Sequence, residues 1–433
     1  MGSSKLLFIT PFVPGLAAHG SSQRAGMVLQ ALETRFEVHV LLVPIGSRAH
    51  LRELPPRFAH LRTRFRIADD SGRTLAPKFH PDGSVAADAG DAAVDGFVEE
   101  ALRDWRHVDF DVVHIYRLPL APFARAFDAA SSRRFLDVDD IESITSARLA
   151  DLYALNGRAS AAENSRRYAE VHRLREETGL RPFDGVFTCS RTDAGVLQRM
   201  YGCATFVLPN TVAMPPRARS EGPPDALTIL LVGSMDYHPN EDAALQLVNG
   251  VLPGIRRLCP APVRVLIVGN SPRASVLALA SQPDVTVTGA VDSVTPYYRR
   301  AAVVVVPIRA GGGTRIKILE AAAHRVPVVS TPMGAEGLEV IDGQELLLAA
   351  TPEEMAVQCV RLWTDRPLRT RLVRNAHAWV AREHTAQALD RALADAYGPF
   401  GVGGRGTRGR LSDRSTAATI GRRRIRRDGR RTG

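Results

Sequence analysis

The sequence predicts an α/β protein of two doubly wound domains, each a parallel sheet wrapped by helices. Three observations carry that expectation. The chain has 433 residues, more than one core can organise, because single cores stop growing at about 250–300 residues. It opens a strand, loop and helix unit at Lys5 and a second strand and glycine-led loop at Leu227, with a proline-rich stretch between them at residues 213–226. Finally, Val303-Val304-Val305-Val306 is an unbroken β-branched run, the pattern of a parallel strand buried on both faces.

Taken in order, Lys5–Thr10 reads as the first strand. A loop follows with Pro14, Gly15 and Gly20, and Ser21 or Ser22 caps a helix to about Thr34. Val38–Val43 is the second strand. Residues 44–90 are rich in Pro, Arg and Asp and predict irregular surface. Asp91–His107 has helical apolar spacing, and Asp111–Tyr116 is a strand whose His114 sits in an apolar run, a core position first and a cleft position second. Asp137-x-Asp139, after Phe135-Leu136, has the look of a metal-binding pair, but the motif is short and common. A cleft carboxylate at this strand end is the preferred reading and a helix cap the alternative. Ser143–Gly179 predicts a long polar helix with Arg and Glu at spacings that suit a solvated face. Gly185–Ser190 is the next strand, with Ser190 capping a helix to Met200.

In the second half, Leu227–Val232, Val263–Gly269 and Val285–Gly289 are strands, and Pro352–Tyr397 is helical. After the four valines comes Gly311-Gly312-Gly313-Thr314-Arg315-Ile316-Lys317-Ile318-Leu319-Glu320. Glycines let a backbone approach a ligand, and with Thr314 as cap the free amides of the following helix would gather into an anion site. Arg315 and Lys317 add two positive charges in its first turn, where the helix dipole disfavours cations unless an anion sits opposite. Thr314 to Glu320 spans about 9 Å at 1.5 Å per residue, of the order of the distance from a nucleotide's diphosphate to its ribose.

These residues resemble a known family. Gly312 to Glu320 has the spacing of the glutamate-x7-glutamate signature of retaining GT-B glycosyltransferases of family 4, and GGGTRIKILEA is similar to the variant of a bacterial sugar-transferase branch. The flanking VTVTGAVDSVTPYYRRAAVVVVP and STPMGAEGLEVIDGQELLLA continue the resemblance. It implies a GT-B architecture of two Rossmann-like domains facing across a cleft. An acceptor-side domain would span 1–212, a linker 213–226 and a nucleotide-sugar domain 227–375. Residues 376–397 would form a helix returning to the first domain, followed by a disordered tail at 398–433.

The resemblance also implies roles. Glu320 falls on the glutamate that binds the ribose, whereas Gly312 stands where the sugar-contacting glutamate belongs. Gly20, Ser22 and Arg24 become candidates at the first loop, with a surface arginine as the alternative for Arg24. Asp139 or Asp140 takes the place of a cleft histidine. Gly289, Ala290 and Val291 become base contacts. The loop at Gly233 lacks the family's arginine and lysine, which shifts phosphate binding to Arg315 and Lys317. Arg315, Lys317 and Asp140 are thus the expected catalytic residues. The expected donor contacts are Gly20, Gly233, Gly289, Val291, Gly312, Gly313, Thr314, Glu320 and Glu336, with a nucleotide diphosphate sugar as donor, a glycan or lipid-linked acceptor, and no metal or other cofactor. A nucleotide-sugar 2-epimerase of the same architecture and a non-catalytic adaptor acting through the tail are the alternatives.

Bulk properties bound the rest. The hydrophobic share of 45% is that of a globular protein, and no run is long enough to span a membrane. No positively charged apolar leader precedes the first strand, and Leu6 stands where a myristoylation signal needs Ser or Thr. Cys189, Cys203, Cys259 and Cys359 show neither zinc nor disulfide spacing, which fits a reducing cytoplasm. Of the net charge of +10, nine units come from Gly401 onward, where eleven arginines face only Asp413 and Asp428. The body is therefore nearly neutral, and attraction to an anionic membrane face belongs to the tail, with a solvated extension as the alternative. Nucleic acid is not expected as a partner.

Overall fold

The computed structural model describes residues 4–15, 20–45, 54–68, 75, 91–216 and 226–398. Two parallel sheets form the frame. The first has seven strands, β1 (Lys5–Thr10), β2 (Glu37–Leu42), β3 (Phe65–Ile67), β4 (Val112–Tyr116), β5 (Arg133–Asp139), β6 (Gly185–Thr188) and β7 (Thr205–Val207), in the order β3-β2-β1-β4-β5-β6-β7. The second has six, β8 (Leu227–Val232), β9 (Val263–Val268), β10 (Val285–Val287), β11 (Val303–Val306), β12 (Val328–Ser330) and β13 (Leu347–Leu348), in the order β10-β9-β8-β11-β12-β13. In both, the strand order reverses beside the first strand, which opens a crevice at the carboxyl ends where doubly wound sheets bind ligands.

Alternation along β1 builds two cores at once. Leu7 and Ile9 join one face with Val113, Ile115 and Leu136, whereas Leu6 and Phe8 join the other with Val28, Leu29 and Phe135. The second sheet has a core of its own, centred on Ile229, Leu231, Val265 and the four valines of β11.

The principal helices are α1 (Gly20–Glu33), α2 (Asp91–Ala101), α3 (Glu142–Leu155), α4 (Ala159–Gly179), α5 (Arg191–Tyr201), α6 (His238–Leu245), α7 (Thr295–Arg300) and α8 (Ile316–Ala323). The chain closes with α9 (Pro352–Thr364), α10 (Arg366–Glu383) and α11 (Ala386–Tyr397). Leu389, Leu393, Ala396 and Tyr397 of α11 complete the first domain's core, and Tyr397 hydrogen-bonds His114 at 2.5 Å. Burial drives the His114 imidazole down to about 4, so it is a neutral core residue.

Several sequence expectations are corrected. Ser21 and Ser22 lie inside α1, which already begins at Gly20. The long polar helix is a hairpin, broken at Asn156–Arg158 where Gly157 takes φ +71°. The returning segment is likewise two helices, with Thr385 capping α11 through the amide of Ala388. Part of 44–90 is regular, a 3-10 turn at Pro56–Arg64 leading into β3. Residues 46–53, 69–74 and 76–90, most of the linker and the tail beyond Gly398 lie outside the described residues.

Candidate functional site

The loop between β11 and α8 crosses the crevice. Gly311 (φ +124°) and Gly313 (φ +65°) hold conformations that a side chain would strain. At Gly312 the limit is space, because a Cβ there would meet the Thr145 hydroxyl and come within 2.6 Å of Asp140 Oδ2. The room that a residue-312 side chain would occupy is thus filled from the opposite domain. Thr314 does not cap α8, which starts two residues later behind Arg315. Its hydroxyl accepts from Asn210 Nδ2 (2.9 Å), and its amide points at Cys189 Sγ (3.2 Å).

Arg315 is buried and donates to the carbonyls of Gly312 and Gly313, so the glycine loop folds around its own guanidinium. Lys317 Nζ donates to Asn240 Oδ1 at 2.7 Å. Among the described residues no carboxylate lies in ion-pair contact with either cation. Burial lowers both, Lys317 to about 7 with the Arg315 charge adding to the effect. Glu320 accepts from the Tyr298 hydroxyl at 2.8 Å, and burial raises its carboxyl against the opposing pull of Tyr298 and Lys317.

On the other wall the charges around β5 are paired. Arg24, 1% exposed, is neither a surface nor a cleft residue. It makes two bonds to Asp137 (3.2 and 2.9 Å), bonds Leu208 O and Asn210 Oδ1, and lies 3.4 Å from Asp139. That engagement occupies both oxygens of Asp137 and one of Asp139. Asp139 takes φ +66°, and burial pushes its carboxyl up while Arg24 and Arg117 pull it down. Arg117, itself at φ +80°, donates to Asp140 (2.8 Å) and Glu142 (2.6 Å), and Thr145 donates to Asp140 at 2.9 Å.

The remaining expected residues divide by location. Gly20 faces the head of α8, where a Cβ added to it would meet Ile316 Cδ1 in ordinary contact at 3.6 Å. Gly233 packs against Asn240, the partner of Lys317, and beside Gly269, whose amide bonds the Gly289 carbonyl at 3.2 Å. Gly289 has open space around it, whereas Val291 packs on the second domain's core. Ser22 is buried within α1, and Ser190 caps α5 through the Asp193 amide while abutting Gly337. Glu336 is taken by Arg148 in a two-point pair of 2.5 and 2.8 Å.

Arg148 belongs to a group that sequence reasoning missed. From the α3–α4 hairpin it also reaches Gly311 O (3.1 Å), while Asn156 bonds Asp242 (2.9 Å) and Arg158 bonds Glu241 (2.9 Å). Tyr153 stacks on His238 with ring centroids 4.2 Å apart. Arg309 closes the set from the second domain on Asp242 and Asn156.

Residues 226–365 match the family model described as Glycosyl transferases group 1. No curated protein matches the chain. Among solved structures, sucrose-phosphate synthase from Thermosynechococcus elongatus is 16% identical, with 92% of this chain and 98% of that one covered at a TM-score of 0.64. The fold is GT-B. Anabaena HepE in complex with UDP and glucose aligns at 15% identity, 91% and 99% coverage and a TM-score of 0.62. An S. aureus TarM mutant in complex with Fondaparinux, alpha-GlcNAc-glycerol and UDP aligns at 9% identity, 91% and 99% coverage and a TM-score of 0.64.

Proposed function

We propose that this GT-B protein is a retaining, metal-independent glycosyltransferase that moves a sugar from a nucleotide diphosphate sugar to a glycan, lipid-linked or other small acceptor. The carrying observation is the pair Arg315 and Lys317, two enclosed cations with no ion-paired carboxylate among the described residues, beside the head of a helix whose dipole is itself positive there. Such an arrangement is costly alone and favourable with a multiply charged anion. The group 1 match over the same residues, and the UDP in the HepE and TarM complexes, support a nucleotide diphosphate as that anion.

In this reading the departing diphosphate takes the acceptor proton as the sugar leaves, and negative charge grows on the phosphate oxygens. Charge already fixed by Arg315, Lys317 and the loop amides stabilises that build-up without reorganisation, usually the largest catalytic term. Asp140, against Gly312, faces the sugar, Glu320 takes the ribose hydroxyls, and Gly289 and Val291 border the base. A cytoplasmic location, with the arginine tail at an anionic membrane face, belongs to the same proposal.

The test is a thermal-shift screen of nucleotide diphosphate sugars on the full chain in EDTA, followed by NMR of the product's anomeric centre. A rise in melting temperature with one donor, and a product of unchanged configuration, is expected. Failure of every donor to bind, or an inverted product, would overturn the reading.

A further inference from the structure

The carbonyls of the glycine loop are held from both domains. On α3, Thr145 and Arg148 stand three residues apart and so share one face. Thr145 fills the space beside Gly312 together with Asp140, whose oxygens are already engaged by Arg117 and by Thr145 itself. One turn on, Arg148 reaches across the crevice, and its Nη1 donates to the Gly311 carbonyl at 3.1 Å. Arg315, from the second domain, donates to the next two carbonyls, those of Gly312 and Gly313. Two guanidinium groups thus hold three successive carbonyls.

That grip fixes the direction of the amides. In a planar trans peptide the N–H points opposite to the C=O, so a held carbonyl also aims the amide of the following residue. The Gly311 carbonyl therefore sets the amide of Gly312, the Gly312 carbonyl that of Gly313, and the Gly313 carbonyl that of Thr314. The last meets Cys189 Sγ at 3.2 Å, whereas the amides of Gly312 and Gly313 donate to no acceptor among the described residues. Successive amides left free in a turn form an anion-binding concavity. Glycines leave the backbone many alternatives, so such an arrangement needs an external hold. The charge of Arg148 is answered by its two-point pair with Glu336 (2.5 and 2.8 Å), so what it contributes to the loop is direction rather than net charge.

We infer that Arg148 is a positioning residue: by holding the Gly311 carbonyl from the first domain, it aims the Gly312 amide at the anion site of the second, beside the Gly313 amide that Arg315 aims. The anion site is then complete only where the two domains meet. The inference rests on the proposed function in taking that anion to be the donor's diphosphate.

The test uses the full chain labelled with glycine carrying 15N and a 13C carbonyl. Only Gly312, Gly313 and Gly404 follow a glycine in the sequence, so a carbonyl-filtered amide spectrum holds three signals. The one lost in Gly403→Ala is that of Gly404, and the other two belong to the loop. In ligand-free Arg148→Met a loop signal should move while Gly404 stays in place, and the melting temperature should change little because the Arg148 and Glu336 side chains are partly exposed. Pyrophosphate should move both loop signals of the parent, and calorimetry with pyrophosphate, UDP and GDP should show binding about tenfold weaker in the variant. Arg148→Met also leaves Glu336 uncompensated, so the comparison is repeated on Glu336→Gln, where adding Arg148→Met should again weaken binding about tenfold. Loop signals that stay in place in Arg148→Met, or equal affinities with and without Arg148 in the Glu336→Gln background, would overturn the inference. A parent chain that binds none of the three probes, while a loop signal still moves in Arg148→Met, would instead overturn the donor reading and leave Arg148 as the residue that aims the loop.

Discussion

The two walls of the crevice treat charge in opposite ways. On the first domain's wall Arg24 and Arg117 are surrounded by Asp137, Asp139, Asp140 and Glu142, and each guanidinium is met by carboxylates at close range. On the second domain's wall Arg315 leans on backbone carbonyls and Lys317 on an amide oxygen. The difference teaches where ligand charge belongs. A satisfied wall is framework, whereas on the proposed function a wall with excess positive charge is completed by the donor's anion.

Four substitutions sharpen or break that contrast. The largest effect is expected from Arg24→Met, which leaves buried Asp137 without its partner and should lower stability by about 3–5 kcal/mol, read as a fall in denaturation midpoint. A small change there would mean that the first wall is not framework. Next, Arg315→Ala should reduce turnover about 100-fold with little change in melting temperature. A fall in stability with turnover preserved would reverse the roles of the two walls.

Lys317→Met isolates the unpaired charge. With its folded pKa near 7 and its unfolded value in the ordinary lysine range, the unfolded chain holds the proton more tightly, so stability climbs as pH rises from about 7 towards that range. The substitution should flatten this climb and stabilise the ligand-free protein near neutral pH by about 1–2 kcal/mol. A bound diphosphate restores the proton, so binding above pH 7 should take up protons in the parent and not in the variant. Calorimetry in buffers of different ionisation enthalpy decides it. The smallest effect is expected from Glu320→Gln, which should weaken nucleoside diphosphate binding about tenfold by removing one charged hydrogen-bond acceptor.

Strands and loops were legible because their signals are local. The β-branched run of β11, the glycines after it and Ser190 ahead of α5 each announce their structure within a few residues. The crevice's cross-links were not. Arg148, Asn156 and Arg158 look like a solvated helix face until Glu336, Asp242 and Glu241 arrive from the other half of the chain. Asn156-Gly157 was the available clue, since that dipeptide marks turns, and a break there swings the hairpin towards α6. Arg24 was hidden for the same reason, because its buried partners lie at Asp137 and Asn210. Gly312 could be read as an absent glutamate, but the occupation of its space by Asp140 and Thr145 is a tertiary fact.

The placement of Tyr397 bears on biosynthesis. Its ring is wedged among Phe36, Phe135 and Phe187, so the half of the molecule made first has an aromatic gap until α11 leaves the ribosome. At about 5–20 residues per second, the stretch from Leu208 to Leu389 takes on the order of 10–40 s to synthesise. Throughout that interval the nascent amino-terminal half stays unfinished, and closure of its core reports that both domains have been translated.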